Sequence, residues 1–230
     1  MDNNCSVLFL SCDSYSDVLK QNLFLFRKFW NDCPFPTFSI TESSIFDDCN
    51  SLCLDSKKWS ERLLYALDNI STDFVFIILD DFWPESQICS DEIVKYLEKM
   101  EEDANIANIA FSSMPNVMND HCIYNSCLRY HKGWSLVNFQ VGLWNVKALK
   151  KLLSFKENPW EAEIYGSIRA RFSDYKFYCI KKDDFSPYEY GKGWLIVRGK
   201  WNLDEIKRLE NKLELKIATG ERESDTFNGT

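Results

Sequence analysis

The chain has 230 residues, 45% of them hydrophobic and 15% aromatic, enough to bury one substantial core, so a single domain is expected. Its 35 acids against 27 Lys and Arg give a net charge of −8, which argues against broad, sequence-independent binding to nucleic acid and leaves a local basic pocket open. Nine cysteines with no Cys-x-x-Cys pair, no signal-peptide pattern at the start and no apolar run near the ~18 residues of a membrane span point to a cytoplasmic chain with reduced thiols.

In chain order, Ser6-Val-Leu-Phe-Leu-Ser11 reads as a strand, and a helix follows near residues 17–30, where Val18, Leu19, Leu23, Phe26 and Trp30 recur at helical spacing. A short strand around 37–40 comes after Pro34-Phe-Pro36, and a helix over about 57–70 presents Leu63, Leu64 and Leu67 to a core. The most hydrophobic run, Asp73-Phe-Val-Phe-Ile-Ile-Leu-Asp-Asp-Phe82, reads as a buried strand tipped by Asp80 and Asp81. Ser90 is placed to cap a helix with Asp91 and Glu92 in its first turn, and residues 106–111 form another strand. Strands interleaved with helices of this length predict an α/β fold with a mainly parallel central sheet flanked by helices.

Residues 112–133 are polar and irregular, hold both His121 and His131, and read as a functional loop or a hairpin over a site. An extended segment over 135–144 leads into a helix near Asn145. The next helix is announced by Asn158-Pro159-Trp160-Glu161, with Asn at the cap, Pro at the first helical position and Glu at the third, and its Trp160, Ile164 and Ile168 are expected to be buried. Asn202-Leu-Asp-Glu205 repeats this grammar before the last helix, and residues 217–230, polar and aperiodic, are expected to form a disordered tail.

The chemistry centres on Asp80 and Asp81. A buried strand ending in paired acids brings oxygen ligands to one edge of a sheet, where Mg²⁺ or Mn²⁺ could bridge them to a phosphate; strand-terminal acids also serve as plain turn or solvent-facing residues. Because strand side chains alternate faces, one acid can point directly into a site while the other acts through water or orients it, and Asp81, the outer of the two, is the first choice as direct ligand.

Here the chain resembles bacterial glycosyltransferases of the GT-A type that build capsular and O-antigen polysaccharides. The resemblance rests on Val7-Leu-Phe-Leu-Ser-Cys-Asp13, on Trp59-x2-Arg62-x3-Ala66-Leu67, and on Phe76-Ile-Ile-Leu-Asp-Asp-Phe82 in the place of a DxD-like element. It extends to Phe139-Gln-Val-Gly-Leu-Trp144, which contains Gln140, to Asn158-Pro-Trp-Glu-Ala-Glu163 and to Val197-Arg-Gly-Lys-Trp201. Leu79-Asp80-Asp81 stands where the family pattern has Asp-x-Asp, a departure that bears on metal dependence.

The resemblance implies one catalytic domain over 1–216, with a nucleotide-diphosphate-sugar half at about 1–111 and an acceptor half at about 112–216. It further implies a carbohydrate acceptor, lipid-linked by family habit, and peripheral contact with the inner face of a membrane. Asp13 would contact the nucleoside or else be a turn residue; Trp59 and Arg62, sharing a helical face, would approach the nucleotide or else be core and solvated charge. Asp80 and Gln140 join the substrate-binding set. An inverting transferase needs a base for the acceptor hydroxyl, and Glu163 is preferred to Glu161, whose capping position already explains it. Arg198 and Lys200, flanking Gly199, could offset the charge of the departing diphosphate. Two other readings are a nucleotidyltransferase, for which no Gly-rich phosphate loop follows the first strand, and a non-catalytic sugar-binding or scaffold domain.

Overall fold

The computed structural model describes residues 4–114, 123, 128–130, 135–182, 184–191 and 194–227. Strand β1 (Cys5–Leu10) leads through a 3₁₀ turn (Asp13–Tyr15) into α1 (Ser16–Phe29), then β2 (Thr37–Thr41), β3 (Asn50–Cys53), α2 (Trp59–Asn69) and β4 (Phe74–Leu79). There follow α3 (Ser90–Glu102), β5 (Ile106–Ala110), β6 (Leu128–Tyr130), β7 (Gly142–Asn145), α4 (Val146–Leu152), α5 (Pro159–Arg171) and β8 (Lys176–Ile180). A hairpin of β9 (Ile196–Val197) and β10 (Lys200–Asn202), the helix α6 (Leu203–Leu213) and β11 (Ser224–Asp225) complete it.

The eight-stranded sheet has the order β3-β2-β1-β4-β7-β5-β8-β6. Strands β3, β2, β1 and β4 pair in parallel, β5 pairs in parallel with β8, and β7 and β6 run antiparallel to their neighbours. This is the α/β class with a mainly parallel sheet that the interleaved pattern predicts. Since β1 has β2 on one side and β4 on the other, the chain reverses its direction of growth at β1, and a crevice opens where the carboxyl ends of β1 and β4 meet.

The period of two in the strands sorts residues between the faces. Cys5, Val7 and Phe9 of β1 join Phe74, Phe76 and Ile78 of β4 under α1 and α3, while Leu8, Leu10, Val75 and Ile77 meet α2, α4 and α5. Burial of each large apolar side chain contributes about 1.5–3 kcal/mol, so a one-residue register slip that reversed these faces would be strongly disfavoured. A third cluster joins Val18 and Leu25 of α1 to Trp83, Leu195, Trp201 and α6.

One strand was not anticipated, and two expectations differ from the structure. The third strand, β3, is short and half-exposed, and its sequence Asn-Ser-Leu-Cys shows no alternation to betray it. Ser90 does not cap α3: its hydroxyl accepts the Trp30 indole N–H at 2.6 Å instead. Residues 217–227 are not a free tail, because β11 pairs with β10 and Arg222 bonds Asp17 at the start of α1. An aperiodic polar segment can be held by such specific ionic and stacking contacts without any apolar periodicity.

Candidate active site at the carboxyl edge of the sheet

The turn after β4 is fixed almost wholly by side chains that donate to its carbonyls. Asn22, buried in the apolar face of α1, offers its Nδ2 to the carbonyls of Leu79 and Asp80 at 3.0 and 3.1 Å. Trp83 Nε1 also donates to Asp80 O, and Tyr188 Oη donates to Phe82 O at 2.8 Å. The turn over residues 79–82 is therefore set by two side chains distant in sequence, Asn22 and Tyr188, and by Trp83 three residues on from Asp80.

Ser11, just past β1, donates its hydroxyl to Asp80 Oδ2 at 2.6 Å. Both acids keep partial contact with solvent, yet the surrounding protein removes enough water to push both carboxyl groups above the usual range, Asp80 further still because of the neighbouring Asp81 charge. Two adjacent carboxylates short of counter-charge are what a hard divalent cation relieves. Among the described residues no group of three or more His, Cys, Asp or Glu forms a complete cage, so a cation here would complete its shell with phosphate oxygens and water, as Mg²⁺ commonly does.

Asp81 lines a cavity of about 740 Å³ together with Ser112, Asn138, Gln140, Glu163 and Tyr190. Glu163 reaches it from α5, where its Oε1 accepts the Phe139 N–H at 2.9 Å, and burial raises its carboxyl above the ordinary value. Gln140 Oε1 accepts the Tyr190 hydroxyl at 2.7 Å, and Tyr190 packs on Phe82 with ring centroids 4.9 Å apart. Glu85, on the same wall, is answered by Arg208 and Lys212; their hydrogen bonds and charge outweigh the cost of its burial and keep its carboxyl below the ordinary value.

The other candidates fall outside this cavity lining. Asp13 holds a loop: its carboxylate accepts the hydroxyls and backbone N–H groups of Ser43 and Ser44, led by Ser43, and these bonds keep it well below the usual carboxylate range. Arg62 is buried beneath it, paired with Glu42 at 2.6 Å and donating to Ser56 O, while the other Glu42 oxygen accepts the Asp13 N–H at 2.7 Å. Arg62 is thus neither a solvated charge nor an open nucleotide ligand; it braces the floor under Ser11 and Asp13. Trp59 packs edge-on against Phe139 at 4.6 Å between centroids.

Glu161 is committed to the capping box, accepting from the Asn158 N–H while its own N–H bonds Asn158 Oδ1. Lys200 pairs with Glu223 at 2.8 Å, and Arg198 sits exposed at the hairpin tip with a φ of 52°, beside Gly199 at 79°. Both histidines and Trp134 lie outside the described residues. Trp144 is core, whereas Trp160, Ile164 and Ile168 are exposed, contrary to the buried face expected of them. The reason is that α5 packs through its small residues, Ala162, Gly166, Ser167 and Ala170.

Two residues that the pattern did not single out belong to the site's frame. Asn22 was visible as a lone polar residue on the apolar face of α1, a position where a buried amide must have partners. Arg222 had no such signal. It bonds Asp17 at 2.6 Å, lies over the Tyr15 ring at 4.6 Å, and its charge acts on Asp80.

No family model and no curated protein matches the chain. Among solved structures it is similar to TarS of S. aureus, at 14% identity over 77% of this chain and 36% of that one, with a TM-score of 0.43. A cytidylyltransferase from Leptospira borgpetersenii matches at 12% identity over 81% and 79% of the two chains, TM-score 0.47. The mannosyltransferase PcManGT from Pyrobaculum calidifontis, in complex with GDP-Man and Mn²⁺, matches at 11% over 77% and 54%, TM-score 0.49. The chain spans about a third of the length of TarS and about half that of the mannosyltransferase.

Proposed function

We propose that the chain is a glycosyltransferase that moves a sugar from a nucleotide-diphosphate donor to a hydroxyl of a carbohydrate acceptor, the lipid-linked acceptor of surface-polysaccharide synthesis being the family expectation. The observation that carries the reading is the sharing of one cavity by Asp81, from the end of β4, and Glu163, from α5. Carboxylates at a sheet's switch point suit a diphosphate with its cation, and a second, desolvated carboxylate in the same cavity suits removal of a proton from an incoming hydroxyl.

The residues would divide the work as follows. Asp81 is the open ligand, and Asp80, held by Ser11, orients and reinforces it. Bound there, Mg²⁺ or Mn²⁺ would neutralise charge on the departing nucleoside diphosphate. Glu163 is kept in place by the Phe139 N–H and leaves its second oxygen for the acceptor hydroxyl; its raised pKa brings its basicity nearer to neutral pH. Gln140, oriented by the Tyr190 hydroxyl, has its amide N–H groups available to sugar hydroxyls.

The nucleotidyltransferase reading is not favoured by the first loop. The Asp13 N–H, which a phosphate cradle would need, is taken by Glu42. The test is incubation with a panel of UDP- and GDP-sugars with and without Mn²⁺, reading donor binding by calorimetry and slow hydrolysis by release of nucleoside diphosphate. Metal-dependent binding of a nucleotide sugar supports the reading; no binding by any donor, with Asp81→Ala indistinguishable from the parent, sinks it.

A further inference from the structure

Asn138 and Trp194 line the same cavity as Asp81 and Glu163, one as a buried amide and the other as an open indole. Asn138 is 4% exposed, and its Oδ1 accepts the Gln140 N–H at 3.3 Å, which fixes the oxygen end of the amide. Its Nδ2 is buried with no acceptor among the described residues. An amide donor left in this state costs about 1–3 kcal/mol, so its place on a cavity wall points to an oxygen that a ligand supplies. Gln140 repeats the pattern: its Oε1 is occupied by the Tyr190 hydroxyl, and its donor end is left for a ligand. Between the two, the Phe139 N–H holds Glu163.

Trp194 is 72% exposed, but its backbone is fixed. Asn202, at the cap of α6, donates its Nδ2 to the Trp194 carbonyl at 3.1 Å and its N–H to the Leu195 carbonyl at 2.9 Å, and Leu195 is buried in the cluster that contains Trp83 and Trp201. Tethered at its root and open on its ring, the indole offers a flat apolar platform with little freedom to lose. The charges decide what kind of molecule suits it. Glu85 is matched by Arg208 and Lys212. The other charged groups lining the cavity among the described residues are Asp81, Glu163, Asp184 and Glu189, with Lys181. Neutral amide donors in a wall with an excess of acids suit hydroxyl or acetamido oxygens and disfavour a carboxylate. A sugar ring has an apolar C–H face for an indole and oxygens at its edge for amides.

We propose that Trp194 and Asn138, with Gln140, form the subsite for an uncharged sugar ring, which stacks its C–H face on Trp194 and accepts from Asn138 Nδ2, while sugars bearing a carboxylate are rejected. Calling this ring the acceptor rests on the transferase reading; its binding needs neither donor nor metal.

The test is titration of the full chain, followed by ligand-observed NMR, with the methyl glycosides of glucose, galactose, mannose and N-acetylglucosamine and with those of glucuronic and galacturonic acid. Each is run with and without UDP and Mn²⁺. The expected result is saturable binding of at least one neutral glycoside, with both uronates at least about tenfold weaker. Trp194→Ala is expected to weaken the neutral glycoside about tenfold and Trp194→Phe to keep most of the affinity. Asn138→Asp, which keeps an oxygen for the Gln140 N–H and removes the donor, is expected to weaken it about tenfold as well. Melts matching the parent establish that the variants fold, and the exposed Trp194 carries the test alone if Asn138→Asp does not. No neutral sugar bound under any condition, uronates bound equally well, or folded variants equal to the parent would each overturn the proposal. Donor binding, measured separately, tells the two readings apart: with it intact, these outcomes sink the subsite alone, whereas neutral-sugar binding by a protein that takes no nucleotide sugar sinks the transferase reading alone.

Discussion

Ser11 and Asp80, 69 positions apart, join the ends of β1 and β4 by a 2.6 Å hydrogen bond at the point where the sheet changes its direction of growth. The bond favours the ionised form of Asp80 against the desolvation and the Asp81 charge that oppose it. Ser11→Ala should therefore raise the Asp80 pKa further and weaken metal-dependent donor binding by about tenfold, a loss of ~1.4 kcal/mol, with little change in fold. Isothermal titration with donor and Mn²⁺ measures this, and unchanged affinity would show that Asp80 has no part in binding.

The pH dependence of stability follows from the same pair. A carboxyl whose pKa is raised in the folded state binds its proton more tightly there than in the unfolded chain, so stability is greatest below the unfolded value of about 3.8 and is lost as pH rises through the raised native value. Other groups contribute their own slopes, so the diagnostic is a difference: from about pH 4 to about pH 9, Tm should fall more in the parent than in Asp80→Asn. Added Mn²⁺ should recover part of the parent's loss at the alkaline end and none of it in a variant lacking both acids. Parallel melting profiles for parent and Asp80→Asn would contradict the raised pKa.

Glu163 and Glu161 stand two residues apart on α5 and should separate cleanly. Glu163→Gln retains an oxygen for the Phe139 N–H, so stability should change by less than about 1 kcal/mol while transfer falls by roughly 10²–10⁴-fold with donor affinity retained. Glu161→Ala should cost about 1 kcal/mol through loss of the capping box and leave the rate alone. Steady-state rates beside denaturant melts distinguish the two.

Arg62 supports Asp13 without touching the cavity. Replacing it with Met leaves Glu42 half-buried without its partner and should cost ~3 kcal/mol. Adding Glu42→Gln should restore part of that, and chemical denaturation of the double-variant cycle measures the coupling. Simple additivity of the two substitutions would show that the pair is not a unit.

The sequence revealed what depends on local periodicity or local caps. Alternation in β1 and β4, the apolar stripe of α1 and the Asn158 capping box are all one-dimensional patterns, and the acid-tipped strand located the carboxyl edge. What it hid depends on partners far along the chain. Arg62 read as a nucleotide contact or a solvated charge, because its acid, Glu42, lies 20 positions back. α5 looked like an ordinary amphipathic helix because apolar spacing does not say which side faces in. The small residues that closed the contact were the better signal: Ala162, Gly166 and Ala170 recur every four positions. Asp13, read as a nucleoside contact or a turn residue, does open the 3₁₀ turn after β1, and its side chain also anchors a loop over residues 43–44 that no motif identifies.

The ion pair between Asp17 and Arg222 has a consequence for synthesis as well as for the finished molecule. A ribosome delivers Asp17 of α1 205 residues before the arginine that braces it, so the first helix and the acid pair after β4 emerge well before that cation is available. A nascent chain can build its central sheet early, but this edge receives its last constraint only once the segment around residue 222 has cleared the exit tunnel. Folding of the N-terminal half and final bracing of the carboxyl edge of the sheet are thereby separated in time.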